Sequence, residues 1–289
     1  MNGWLDWREI EKQNDWGVRE KTDAMGEMWN KDAGMWDVRW KNEEEFTKRQ
    51  ADALELLATD TVLDIGCGTG PLTMHIAPRV SRIIAQDYGV DMLGLLASNA
   101  EARGLRNVET LQGNWHDMEP GRDLPVCDVA VARWSPAQGN ILKMSRCATR
   151  YCYSLSTCSP SFEDGGFSSG GFWCRSTTDD ALNRSPRPCA RKYGFNVHFN
   201  LLYDHGANPT ISYVRNDCSI TADTKDQLVD KIVSRFCRPT GEGKDAAGRR
   251  VSLPAAFERG VSRNEDGSWS FTDSSTIVVL GWDPNDVTC

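Results

Sequence analysis

The feature that most constrains this chain is Thr61-Val62-Leu63-Asp64-Ile65 passing directly into Gly66-Cys67-Gly68-Thr69-Gly70 and Pro71. Residues 61–65 read as a buried strand, because a short apolar run bounded by a glycine cluster fits a strand covered on both faces. Alternate glycines permit a sharp reversal and let another molecule approach the backbone where a Cβ would collide. Pro71 suits the first position of a following helix, where its missing N–H costs nothing. The helix start would then offer unpaired N–H groups and a positive dipole end. Strand, glycine turn and helix in this order begin an α/β fold.

The alternation continues. Strands are expected at 82–86, 108–111, 128–132, 151–155, 211–215 and 276–282, with helices at 71–77, 90–103, 192–205 and 224–237. Strands alternating with short helices call for a parallel sheet. Pro160, Gly165, Gly166, Gly170, Gly171, Pro186 and Pro188 break this rhythm and read as a loop or small insertion. Asn264-Glu265-Asp266-Gly267 is a turn signal between short strand-like runs. Upstream of the first strand, six of the eleven tryptophans (Trp4, Trp7, Trp16, Trp29, Trp36 and Trp40) crowd a highly charged segment. Trp4 with Trp7 and Trp36 with Trp40 have helical spacing. Asn42 with Glu45 resembles a capping pair, opening a helix to about Ala58 with Phe46, Ala53, Leu54 and Leu57 on one side.

Composition narrows the partners. Of 289 residues, 33 are Lys or Arg and 41 Asp or Glu, a net charge of −8 that disfavours a nucleic-acid partner. No run approaches the roughly 18 apolar residues of a membrane span, and the N-terminus lacks the pattern of a signal peptide. The ten cysteines include no Cys-x-x-Cys pair, so reduced thiols, no metal and a cytoplasmic setting are expected.

A dinucleotide site also uses a glycine loop after the first strand, but it needs Gly-x-Gly-x-x-Gly, whereas here the spacing is Gly-x-Gly-x-Gly followed by proline. An acid at position 64 would face a pyrophosphate there, whereas it suits a ligand carrying an ammonium group. Residues 62–70 resemble the first motif of the class I (Rossmann-like) S-adenosylmethionine-dependent methyltransferases, and the resemblance extends more weakly over about 60–157.

The resemblance implies S-adenosyl-L-methionine as cofactor. Asp64 would contact its methionine part, largely through water, over a loop of Gly66, Cys67, Gly68 and Gly70. Asp87, followed by Tyr88, would accept both ribose hydroxyls through charge-assisted hydrogen bonds. Asn114, where the family usually has aspartate, and Trp115 would meet the adenine. Arg133 and Trp134 follow the fourth strand, nearest the transferred methyl. They stand where methyltransferases of DNA-base amines carry Asp/Asn-Pro-Pro-Tyr/Phe, so such amines are disfavoured as acceptors. Trp134, Trp36 and Trp40 are expected to line the acceptor pocket. If the acceptor must lose a proton, the candidate bases are His116 and the group Tyr203, Asp204 and His205, with His198.

The expected architecture is a mostly parallel, Rossmann-like seven-stranded sheet with helices on both faces, an antiparallel last strand and an N-terminal helical cap. It is read as one domain over 1–289: a cap or lid (1–58), a cofactor-binding half (59–157), an insertion (158–191) and the C-terminal half of the sheet (192–289). The expected function is methyl transfer to nitrogen, oxygen or sulfur of a small molecule, by a chain compatible with a homodimer. A methyltransferase of tRNA or protein, and a non-catalytic cofactor binder, are the alternatives.

Overall fold

The computed structural model describes residues 6–12, 23–158, 195–216, 218–236, 260–273 and 276–288. The chain divides into two compact units, one of Met1–Ser156, Tyr193–Val214 and Val278–Cys289, the other of Thr157–Lys192 and Arg215–Ile277.

Strands are numbered in chain order. In the first unit, β1 (Thr61–Ile65) pairs in parallel with β2 (Arg82–Asp87) on one side and β4 (Cys127–Arg133) on the other. β3 (Val108–Gln112) lies outside β2 and β5 (Ala148–Cys158) outside β4, both parallel. β10 (Thr276–Trp282) then enters between β5 and β6 (Thr210–Arg215), giving the order β3-β2-β1-β4-β5-β10-β6. Gly281, near the end of β10, accepts a hydrogen bond from Thr210 Oγ1 at the start of β6 (3.3 Å) and lies against Tyr151, near the start of β5. β10 therefore runs antiparallel to both neighbours, as expected from the sequence.

Successive side chains of a strand face opposite sides, and the core divides accordingly. On one face Leu63, Ile65, Ile84, Ala130, Ala132, Leu280 and Trp282 pack under Ile141 and Met144 of α6 (Ile141–Ser145) and Leu201 and Leu202 of α7 (Phe195–Asp204). On the other, Ala85 and Cys67 pack under Trp40 of α2 (Asp23–Asn42), Met74 of α4 (Thr73–Ile76), and Leu93, Leu96 and Ala100 of α5 (Val90–Ala102).

The second unit has its own three-stranded sheet. β7 (Cys218–Ala222) pairs antiparallel with β9 (Trp269–Asp273), which pairs with β8 (Val261–Arg263). The reason is packing: Ala222 and Phe271 bury against Leu228 and Ile232 of α8 (Lys225–Phe236), forming a separate small core.

Two local expectations are corrected. Pro71 lies in a turn, and the helix after the glycine loop begins only at Thr73 with Leu72 as its N-cap. Asn42 ends α2 instead of capping the next helix; α3 (Glu44–Asp52) starts after Glu43, which makes no side-chain cap. The expected insertion at 158–191 lies, apart from Cys158, outside the described residues, as do Trp4 and Trp16.

The short helix α1 (Trp7–Lys12) packs along α7. Its Glu11, buried there, accepts from the Ile141 N–H (3.1 Å) and lies 3.9 Å from His198 Nε2. Burial raises the Glu11 carboxyl to about 7, opposed by the Ile141 N–H and Arg8, and lowers His198 to about 4. A raised carboxyl contributes full stability below its unfolded value of 4.5 and loses it as the pH rises toward and past 7. Glu11→Gln keeps an acceptor for Ile141 and removes the titration. It is expected to be the more stable protein at pH 8, by up to about 3 kcal/mol, with a flatter thermal-unfolding profile between pH 5 and 8. Identical pH profiles for the two proteins would refute this.

Candidate functional site

The site is built where β1 to β4 end. Gly66, Gly68 and Gly70 all have positive φ (68°, 56° and 90°), a region that L side chains rarely adopt. Two of the three are also packed tight. A Cβ on Gly66 would lie 2.6 Å from Ser135 Cβ, and one on Gly70 2.9 Å from Leu96 Cγ. A Cβ on Gly68 would meet nothing within 4 Å, so the middle of the loop borders open space.

Asp87 closes β2 beside that space. Its Oδ2 accepts from the Gly68 N–H and its Oδ1 from the Gly89 N–H, each at 2.8 Å. A carboxylate is an acceptor-only group, the chemistry that suits a ligand hydroxyl. Tyr88, next to it, is half-buried.

Asp64 is buried below the loop and accepts from Thr73 Oγ1 at 2.6 Å. Burial raises its carboxyl to about 6, with the Thr73 hydroxyl and the Arg133 charge opposing and Asp87 adding to the rise. The same two acids and, above all, burial keep the Cys67 thiol protonated, which leaves it a packing residue of the loop.

Arg133 ends β4. Its Nε donates to Gln50 Oε1 of α3 (2.7 Å), and its guanidinium lies 3.8 Å from the Trp134 ring centre. Burial lowers its pKa to about 10, with Glu43 opposing. Trp134 is the one non-glycine residue with positive φ (49°) among the described residues. Such backbone costs about 1–3 kcal/mol and clusters at functional sites.

Asn114 turns its side chain onto its own loop, accepting from the His116 N–H (3.1 Å) and donating to Asp117 Oδ2 (2.9 Å). His116 is half-buried at the carboxyl end of β3. Trp36 is half-buried on α2, 5.8 Å from Trp29 and with the Arg39 guanidinium 5.2 Å from its ring centre.

Four residues lie away from the place the sequence suggested. Trp115 is 2% exposed and packs in the core on the α6–α7 face, with Lys143 Nζ 4.5 Å from its ring centre. Trp40 is 4% exposed and packs between α2 and α5. Both are core residues because their rings point inward beneath helices, not across the loops. His205 and Tyr203 stand at the opposite edge of the sheet. The His205 ring bonds the Thr288 carbonyl (2.6 Å) and Arg8, just before β6 starts at Thr210, and Tyr203 is exposed. Both stand before the amino end of β6, whereas the glycine loop follows the carboxyl end of β1, so the structure does not bring them to the loop.

Sequence reasoning missed the residues that hold the loop. Gln86, fully buried, accepts through its backbone carbonyl from the Gly66 and Cys67 N–H groups, and its side chain donates to the Gly113 carbonyl (2.6 Å). Asn99 donates to the Thr69 carbonyl at 3.1 Å. The available signal was a polar residue inside an otherwise apolar strand or helix face. No group of three metal-binding side chains occurs among the described residues, and no helix among them is long and apolar enough to cross a membrane.

The family described as methyltransferase domain matches residues 62–146. Over 87 residues the chain is 32% identical to an uncharacterized protein of Haemophilus influenzae, covering 30% of this chain and 32% of that one. It is 29% identical over 75 residues to a probable cobalt-precorrin-6B C(15)-methyltransferase of Methanococcus vannielii, covering 26% and 42%. The chain thus spans less than half the length of these relatives. Among solved structures, the YcgJ protein of Bacillus subtilis is 16% identical with a TM-score of 0.47, over 83% of this chain and 98% of that one.

Proposed function

We propose that the chain, whose residues 62–146 match the methyltransferase-domain family, is a class I S-adenosylmethionine-dependent methyltransferase that transfers the methyl group of S-adenosylmethionine to a nitrogen, oxygen or sulfur atom of a small molecule. The observation that carries the reading is the open space over Gly68, bordered by the Asp87 carboxylate. A ribose fits there, with its hydroxyls donating to Asp87. The anionic surroundings of Asp64 and Asp87 suit a cofactor with a sulfonium and an ammonium group and no phosphate. Gly66, Gly68 and Gly70 would form the floor of its site, Tyr88 and Asn114 its adenosine side, and Arg133 the side of the methyl.

S-adenosylmethionine supplies an activated methyl on a good leaving group. The chain's own task is to align the acceptor and exclude water. Trp134, held in a strained backbone beside Arg133, and Trp36 on α2 are the aromatic groups assigned to the acceptor side. His116, at the carboxyl end of β3, is the base for acceptors that must lose a proton. The net charge of −8 supports a small acceptor over a polyanion.

Calorimetry with S-adenosylhomocysteine, S-adenosylmethionine and NAD tests the cofactor. Binding of the first two in the micromolar range or tighter, and none of NAD, is expected; the reverse pattern would sink the reading. Asp87→Ala should weaken S-adenosylhomocysteine binding at least tenfold, about 1.5 kcal/mol, since two hydroxyls lose a charged partner. Unchanged affinity would place the ribose elsewhere.

A further inference from the structure

Helix α2 is fastened to both loops assigned to the cofactor. Asn99 of α5, 9% exposed, makes the first fastening with the two hydrogens of one amide nitrogen. Nδ2 donates to Asp37 Oδ1 of α2 at 2.7 Å and to the Thr69 carbonyl of the glycine loop at 3.1 Å. Asp37 is itself buried and fixed, accepting from Trp40 Nε1 (3.2 Å) and Lys41 Nζ (2.6 Å). The second fastening is Asn30 of α2, whose Oδ1 accepts from the Asp91 N–H at 3.1 Å in the first turn of α5, four residues beyond Asp87. Gly89 packs so closely there that a Cβ would lie 2.9 Å from Asn30 Oδ1.

We propose that Asn99 is a positioning residue that couples the docking of α2 to the shape of the glycine loop, so that α2 docks more firmly when the cofactor is bound and the cofactor binds more tightly when α2 is docked. The proposal rests on the reading that this loop holds S-adenosylmethionine. Its physical basis is reciprocity: whatever α2 docking adds to cofactor affinity, the cofactor adds to α2 docking. Asn99 reaches no reacting atom; it acts through the Thr69 carbonyl. A buried asparagine that merely satisfied the core would change stability and leave loop and affinity alone.

The test uses the full chain, with S-adenosylhomocysteine as the probe in calorimetry and amide hydrogen exchange at residues 66–70 in the free protein. Asp37→Ala alters no atom of the loop, yet it should raise the dissociation constant at least fivefold and speed loop exchange. Asn99→Ala should raise the constant about tenfold or more. The double variant should match Asn99→Ala alone, because both act through one path. Asp37→Asn, which keeps an oxygen toward Asn99, should recover most of the affinity and serves as the comparison if Asn99→Ala does not fold. Wild-type affinity and loop exchange in Asp37→Ala, or effects that multiply in the double variant, would overturn the coupling. If the wild-type protein bound no S-adenosylhomocysteine, the cofactor reading would fail, and loop exchange in Asp37→Ala would decide the coupling alone.

Discussion

Gly66→Ala is expected to abolish measurable cofactor binding, a loss of a hundredfold or more, and to lower the unfolding temperature. The new methyl would sit 2.6 Å from Ser135 Cβ and 3.0 Å from its Oγ. Ser135 cannot yield easily, because it is buried and its Oγ accepts from the Ala137 N–H (3.2 Å) at the start of a tight turn, Pro136–Gly139. The left-handed backbone adds about 1–2 kcal/mol for any L side chain. Gly68→Ala is the control. It carries the backbone cost without the collision, since nothing lies within 4 Å. It should unfold between Gly66→Ala and the wild type yet bind S-adenosylhomocysteine poorly, because its methyl would enter the space assigned to the ribose. Wild-type affinity in Gly66→Ala would refute the placement of the loop.

Cofactor affinity should fall about tenfold per pH unit below 6, reaching about a hundredfold loss at pH 4. The cause is Asp64, whose burial raises its carboxyl to about 6. A bound ammonium or sulfonium favours the ionised acid, so protonating it in the free protein competes with binding. The sign for stability is opposite. A raised carboxyl costs the free protein stability once ionised, so the free protein gains stability from this group as the pH falls from above 6 toward 3.8. The bound protein, its acid paired with the cofactor's cation, gains less. The thermal shift on adding S-adenosylhomocysteine should therefore shrink on acidification, and Asp64→Asn should flatten it. A shift that stays constant from pH 7.5 to 4.5 would show that this carboxyl does not face the cofactor's charge.

The sheet and the glycine loop were legible because their signals are local and strong. Residues 61–65 and 276–282 have the predicted strand bounds, since buried parallel strands and their antiparallel partner are continuous apolar runs. The positive φ of Gly66, Gly68 and Gly70 follows the pattern of glycines alone. What stayed hidden depends on direction rather than sequence. Trp115 stands beside loop residues in sequence and Trp40 one helical turn beyond Trp36, yet their rings point into opposite cores. The fastening of α2 was hidden as well, because Asp37, Asn99 and Asn30 are single polar residues whose partners lie far along the chain, and no periodicity marks them. The turn at 264–267 and the short runs beside it were legible as the antiparallel pair of β8 and β9, but β8 is three residues long and nothing in it marks a separate core. His205 was a candidate base as part of the group Tyr203, Asp204 and His205, but where that group stands depends on which way β6 and β10 run.

The place of β10 sets a timetable for synthesis. The five strands from β3 to β5 are complete once residue 158 has been made, and they can assemble as soon as they leave the ribosome. β6 emerges some fifty residues later, before the strand beside it, β10, has been made. Between them the ribosome must produce the whole of β7, α8, β8 and β9. A nascent chain paused in that interval would carry two open edges, β5 and β6, each waiting for the same missing strand. Unpaired strand edges are templates for pairing with another chain, and β10 is what covers these two.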